Sequence, residues 1–404
     1  MNILSDSAST LNNQNNSNNN NNNNNNLIYK IINYDEQTES FINDWLNHLI
    51  TVFVDTPYQY FKEHHYSDPY KQKNNNEKIV STVKLFIRDI LLIGSSITCF
   101  GGIGEVSTNV NYRGRSLSIK LLDMALEYMN ENNIKLGLLF SSKFAPMYHS
   151  KGWSYIDRSF TIETFHNINN NNNDKDNNNI NNYNNSFDNN NLKFEQLYSN
   201  TLKEDDHHHH HSIIESLLHT KQYNSNVVRD ISYWRDWIAS NISPSLNSNK
   251  GWLLSCNGLI VGFIITGIFK IYETNDKKPT IMMVVKDIAI NEKWRDDNTV
   301  EREAIIIKLI QLAFDSLKQQ QQQSTPEEEI LSIQYPTTLF SNLFNNNNKQ
   351  TNVIFNPLNS TIQHRVDKSM MARFVSDKSI SNEQTSLANL FPLESTIYWD
   401  IDKF

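Results

Sequence analysis

The 404-residue sequence predicts an α+β fold: a mixed central sheet flanked by helices, then a degenerate second copy of the same plan and a short C-terminal segment. Two observations predict it. The run from Gly102 to Leu122 holds a strand, a basic turn and the opening of a helix in one unbroken stretch, set among other apolar strands and amphipathic helices. From Trp252 to Leu317 a similar order of strands and helix returns.

The elements follow in order. Leu27 to Ile32 reads as a strand, and Glu39 to Phe53 as a helix whose apolar side carries Phe41, Ile42, Trp45, Leu46, Leu49 and Ile50. Ile79 to Arg88, Ile90 to Ile93 and Ile97 to Thr108 read as three consecutive strands, with Gly94-Ser95 at a hairpin turn. Leu117, Leu121, Leu122, Ala125, Leu126 and Met129 then recur at helical spacing. A strand over Ile134 to Phe140 follows, and Pro146 suits the first turn of a short helix. Phe160 to Phe165 reads as the closing strand of this first unit.

The turn between strand and helix is built to hold phosphate. Amides at a helix N-terminus point at an anion, and Arg113 and Arg115 add positive charge beside them. The stretch Arg113-Gly114-Arg115-Ser116-Leu117-Ser118 resembles the acetyl-CoA pyrophosphate loop of the GNAT N-acetyltransferases, with serines at the two small positions. Ser116 stands where glycine gives the closest backbone approach, and its hydroxyl could cap the helix amides or donate to a phosphate oxygen. Tyr148, four residues before Gly152-Trp153, matches that family's Tyr-x-x-x-Gly-aromatic signature. The resemblance implies a GNAT fold and acetyl-CoA as co-substrate, bound through Arg113, Gly114, Arg115, Ser116, Leu117, Ser118 and Ile119. The backbone of Val106, Ser107 and Thr108 would pair with the pantetheine arm.

Composition narrows the function class. The net charge of -8 gives a nucleic-acid role no electrostatic support, which leaves a small molecule or a basic substrate. The two cysteines, Cys99 and Cys256, lie in apolar runs and form neither a disulfide framework nor a zinc set; the expectation is buried thiols in a reducing, cytoplasmic setting. The run Leu259 to Phe269 is too short to span a bilayer, and no secretory signal opens the chain, so no membrane partner is expected. His207 to His211 is a homopolymer in a repeat-rich chain, and no metal site is assigned to it. Asp287, Arg295 and Arg302 read as solvated or ion-paired.

Low-complexity tracts divide the chain. Residues 1–26 read as an Asn-rich disordered tail, 27–166 as the acetyl-CoA-binding unit, 167–192 as a disordered Asn-rich linker, 193–335 as the second GNAT-like unit and 336–404 as a C-terminal segment. The runs Gln319 to Gln323 and Asn345 to Asn348 are likewise expected as disordered loops. In the second unit Asn291 to Asn298 occupies the place of the phosphate loop but has no glycine and carries acids, so that copy should not hold pyrophosphate.

The stretch Arg229 to Trp237 and the ending Trp399-Asp400-Ile401-Asp402-Lys403-Phe404 resemble the enhanced-intracellular-survival (Eis) type of acetyltransferase, and fungal lysine acetyltransferases share much of the pattern. The Eis resemblance implies a homo-oligomer and a C-terminal sterol-carrier-like unit, for which 330–404 is short.

The implied chemistry is acetyl transfer to a primary amine on a small molecule or a lysine side chain. A lysine-like amine has a pKa near 10.4, so the site must favour its neutral form. Tyr148 is the candidate acid for the leaving thiolate, because a phenol keeps its proton at neutral pH. A tyrosine that only packs a helix on the sheet is the structural alternative. The base is either the terminal carboxylate of Phe404, as the Eis resemblance implies, or Glu105 beside the cofactor strand. A non-catalytic GNAT-like acetyl-CoA-binding or interaction protein is the competing class.

Overall fold

A computed structural model of the chain describes residues 2–7, 27–32, 35–37, 39–54, 56, 58–67, 72–73, 79–92, 96–165, 192–198, 201–202, 213, 215, 217–218, 227–243, 249–271, 280–291, 299–324, 330–340, 360–375, 387 and 389–391. Phe404, Trp399, Arg295, His207 to His211 and residues 292–298 of the second loop lie outside them. In chain order the strands and helices are β1 (Asn2–Ser7), β2 (Leu27–Ile32), β3 (Asp35–Gln37), α1 (Glu39–Val52), α2 (Tyr58–Ser67), β4 (Gln72–Lys73), β5 (Ile79–Leu92), β6 (Ser96–Thr108), α3 (Leu117–Glu131), β7 (Leu136–Phe140), α4 (Ala145–His149), β8 (Ser154–Phe165), β9 (Leu192–Leu197), β10 (Lys250–Cys256), β11 (Leu259–Ile271), β12 (Thr280–Ile290), α5 (Thr299–Ser324), β13 (Ile330–Pro336) and β14 (Ser360–Phe374). A π-helical stretch, Tyr233–Ile238, precedes β10.

Twelve of the strands form one mixed sheet, ordered β2-β1-β5-β6-β7-β14-β8-β13-β12-β11-β10-β9. Its two halves repeat one pattern. In the first, β5 and β6 are antiparallel, β6 and β7 parallel, and β7 and β14 antiparallel. In the second, β11 and β12 are antiparallel, β12 and β13 parallel, and β13 and β8 antiparallel. Each half therefore closes on a strand that the chain delivers from the other half, and the two exchanged strands, β8 and β14, pair at the centre.

Period-2 alternation puts both faces of the first half to use. Val83, Leu85, Ile103 and Leu139 meet Leu121, Leu122, Ala125 and Met129 of α3 on one face. Their neighbours Phe86, Leu138 and Phe100 turn to the other, into a core shared with Trp234, Trp237, Trp252 and Phe263 of the second half. With both faces covered, these strands are nearly continuous apolar runs in sequence. Gly101 lets α3 approach closely: a Cβ there would fall 2.6 Å from Met129 Cε.

Several expectations are corrected. Asn2–Ser7 is strand β1, paired with β2 and β5, inside the stretch expected as a disordered tail; Ile3 and Leu4 precede the asparagine tract. The two strands expected on either side of Asp89 are one 14-residue strand, because Asp89 falls on an exposed position and its carbonyl accepts from Val228 N–H at 2.8 Å. The glutamines 319–323 continue α5 to Ser324 rather than forming a disordered loop, as their helix propensity permits. Phe160 to Phe165 does not close the first unit: it pairs with β13. Residues 360–374, expected within a separate C-terminal segment, are instead a central strand of the shared sheet. Cys99 and Cys256 are half-buried free thiols rather than fully buried ones. Helix α2 leaves no clear periodic signal in the sequence, because its polar composition offers little apolar repeat. Among the described residues no helix is long and apolar enough to cross a membrane.

Candidate active site

The site is organised by the point where β6 and β7 part. Their parallel rungs run only from Phe100 and Leu136 to Ile103 and Leu139, while β6 continues to Thr108. Among the described residues no strand pairs with Gly104 to Thr108 on that edge. A β-bulge falls at the same place. The rungs with β5 step from Lys84 opposite Gly104 to Thr82 opposite Ser107, so Glu105 and Val106 together face one residue, Val83. Glu105 takes φ 50°, a left-handed conformation that costs a side-chain-bearing residue energy and marks a constrained position. Val106 thus lies in the bulge and Ser107 and Thr108 directly after it, along the open edge.

Beyond β6 the chain makes a short 3-10 turn, Val110–Tyr112, and enters α3. Arg113, Gly114, Arg115 and Ser116 are all exposed at this corner. Arg113 Nε donates to the Thr108 carbonyl at 3.2 Å, and the Arg115 guanidinium lies 5.2 Å from the Tyr112 ring. Gly114 has φ 78° with open space around its Cα, and Ser116 has φ 57° at the N-cap. The Ser116 hydroxyl makes no cap hydrogen bond, contrary to the capping role expected for it: a capping serine has a β-region backbone, and that of Ser116 is left-handed. The first-turn amides of α3, at Leu117, Ser118 and Ile119, have no intrahelical acceptor, as at any helix start. Exposed cations, free amides and two left-handed residues together fit an anion such as a pyrophosphate.

Tyr148 is on α4, buried at 6% exposure. The spacing Tyr-x-x-x-Gly-Trp has a local cause. Gly152, at φ 87°, ends the helix; its N–H donates to His149 O at 3.0 Å and Trp153 N–H donates to Tyr148 O at 3.2 Å. These two bonds form a Schellman cap, and the hydrophobic contact that goes with it is the edge-on packing of Trp153 on Tyr148, 6.5 Å between centroids. Arg373 of β14 donates to the Lys151 carbonyl in the same corner, so the exchanged strand braces the tyrosine. Burial pushes the Tyr148 phenol up to about 12, which keeps it protonated at neutral pH. His149 is exposed, with Nδ1 3.0 Å from the Trp153 carbonyl oxygen.

On the opposite face, toward α1 and α2, Glu105 lies 3.9 Å from Lys84 Nζ, with both side chains largely buried. Lys84 Nζ also sits 4.5 Å from the Phe86 ring and 5.4 Å from that of Trp45. Tyr60 of α2 is raised to about 12, by burial and then by the Glu105 charge. Arg88 stands over Trp237 at 4.3 Å and donates to the Tyr233 hydroxyl at 3.1 Å, tying the π-helical stretch to β5. Asp287, expected as solvated or ion-paired, is buried and paired with Arg229. No cluster of metal-ligating side chains occurs among the described residues.

A polar group that sequence reading missed is His48. It lies on the buried side of α1, and its Nε2 is 2.8 Å from Ser107 Oγ. Burial lowers its pKa from 6.5 to about 4, so the ring is neutral. The unfolded chain therefore binds a proton on His48 between pH 6.5 and 4 that the folded chain does not, and stability falls as pH drops through that window, by roughly 3 kcal/mol in all. Urea unfolding at pH 7 and pH 5 should show a larger acid loss for the wild type than for His48→Gln. Equal losses would contradict the burial of a neutral imidazole.

Comparison with known proteins bears on this geometry. The family model for the acetyltransferase (GNAT) domain matches residues 33–156, which span the bulge, the basic corner, α3 and α4. No curated protein matches the sequence. Among solved structures, a GCN5-related N-acetyltransferase from Anabaena variabilis is similar at 13% identity and TM-score 0.50, over 85% of this chain and 72% of that one. Eis1 from Mycobacterium abscessus is similar at 10% identity and TM-score 0.48, over 84% and 72%. Saccharomyces cerevisiae N-myristoyltransferase with bound myristoyl-CoA is similar at 10% identity and TM-score 0.45, over 81% and 76%. Of these three, the first reaches 0.50, and at its identity it bears on the fold alone.

Proposed function

We propose that the protein, whose residues 33–156 match the family model of the GNAT acetyltransferase domain, is an acetyl-CoA-dependent N-acetyltransferase acting on a primary amine, either a small molecule or a lysine side chain. The observation that carries the proposal is the coincidence at one strand end of an open edge, a bulge and an exposed basic helix start. The pyrophosphate would rest on Arg113 to Ile119 and the pantetheine arm would run along Val106 to Thr108 into the gap between β6 and β7. Tyr148 would protonate the departing thiolate, for which its high pKa suits it. The amine would approach from the α1 and α2 face, where Glu105 stands.

Direct transfer balances simply. The amine nitrogen attacks the thioester carbonyl carbon, the C–S bond breaks as the tetrahedral intermediate collapses, and the sulfur takes a proton from Tyr148 while a base takes one from nitrogen. Two carboxylates compete as that base: Glu105, and the terminal carboxylate of Phe404 favoured by the resemblance of the ending to Eis-type enzymes. Release of free thiol from acetyl-CoA with a panel of primary amines and lysine peptides tests the reaction, and amine-dependent release is expected. Residues added after Phe404 should abolish turnover while leaving coenzyme affinity intact, and unchanged turnover would move the role to Glu105. Coenzyme binding with no transfer to any amine would favour the non-catalytic reading.

A further inference from the structure

We propose that His48, Ser107 and Thr82 form a positioning chain that holds the β6 bulge so that the Val106 amide faces the thioester carbonyl. The inference rests on the coenzyme reading above. Three short contacts link the chain: His48 Nε2 to Ser107 Oγ at 2.8 Å, Ser107 Oγ to Thr82 Oγ1 at 2.6 Å, and Thr82 Oγ1 to the Glu105 carbonyl at 2.9 Å. The last contact sets the direction of all the others. A carbonyl only accepts, so Thr82 spends its one hydroxyl proton on Glu105. Ser107 must then donate to Thr82, and His48 Nε2–H must donate to Ser107. His48 agrees independently: its Nδ1 is buried with no hydrogen-bond partner among the described residues, as the unprotonated nitrogen of that tautomer would be.

The far end of the chain is a peptide plane. Thr82 lies on β5 and grips the carbonyl of Glu105, the residue held at φ 50°. In a trans peptide the N–H points opposite to the C=O, so the Val106 N–H turns away from β5, toward the edge that β7 leaves open. A fixed N–H at that place can polarise an acyl carbonyl without reorganising during the reaction. The Ser81 hydroxyl braces the next residue, donating to Ser107 O at 2.7 Å. The elements that pack against the chain, α1, β5 and β6, bring Lys84 and Glu105 as their nearby charges. A helix residue thus sets the geometry of a strand edge that it does not itself line.

Thr82→Val keeps the branched shape and deletes the donor. Its expected effect is a fall in kcat of about tenfold or more with the acetyl-CoA dissociation constant changed less than about threefold. The infrared band of bound [1-13C]acetyl-CoA should move back toward its solution frequency, and Thr82→Ser, which restores the hydroxyl, should recover both. Ser107→Ala, which cuts the chain at its middle, is the second variant and should show the same band shift. Wild-type kcat and an unmoved carbonyl band in folded Thr82→Val or Ser107→Ala would overturn the inference while leaving the coenzyme reading intact. Failure of the wild type to bind acetyl-CoA would overturn the coenzyme reading and the inference with it.

Discussion

Tyr148→Phe is expected to lower acetyl transfer roughly 10²- to 10⁴-fold while acetyl-CoA binds as before. The substitution removes one oxygen and nothing else that the fold uses. The Schellman bonds around Gly152 are backbone, and a phenylalanine ring keeps the edge-on contact with Trp153. Thermal stability should therefore change little. The tyrosine is suited to donate because its buried phenol, raised to about 12, stays protonated through the neutral range. In the proposed reaction the protonated form is the working one, so any loss of rate from its ionisation should appear only as pH rises toward that value. A Phe variant with wild-type turnover would reduce Tyr148 to a packing residue and leave the thiolate to be protonated by solvent.

The second large effect concerns the fold. A chain ending at Asn359, lacking β14, is expected to lose cooperative folding altogether, although it retains all of 33–156. Removing β14 strips both β7 and β8 of a partner in the middle of the sheet and opens both cores, the one that Met370 and Ala372 fill and the one on the other face that Met371 fills. It also leaves Arg158, 3% exposed, without Asp367. Losing the carboxylate that faces so buried a guanidinium adds to that cost. Burial alone would raise the Asp367 pKa, but the Arg158 charge and the hydrogen bonds from Arg158 and Ser369 hold it below its ordinary value. Asp367→Asn should accordingly destabilise the protein at neutral pH, and progressively less as pH falls below the ordinary aspartate value and through the lowered folded one, where the wild type loses the same pair. A soluble 27–166 fragment with a sharp unfolding transition would contradict the exchanged-strand account.

What was legible in the sequence is what is local. The basic corner, α3, β7 and the Tyr148 signature span about forty contiguous residues, and each has a short-range cause: helical spacing, free helix amides, a glycine-led cap. The bulge was not legible. Glu105 sits among Gly101, Gly102 and Gly104, and nothing in that string says that the residue with a side chain adopts the left-handed backbone. His48 read as one polar residue in an amphipathic helix, because its partner lies 59 residues away. The strand exchange was invisible for the same reason: β14 is as apolar at its end as any central strand, but periodicity does not say which neighbour it takes. Ser116, which looked like a departure at a glycine position, adopts the backbone that glycine would have adopted.

The central claim is that the open edge of β6 and the corner at Arg113 to Ile119 hold acetyl-CoA. Calorimetric titration of the full chain with acetyl-CoA tests it most directly. One saturable site per chain is expected, weakened strongly by Arg113→Glu with Arg115→Glu; no saturable heat, or binding unchanged by that reversal of charge, would contradict it.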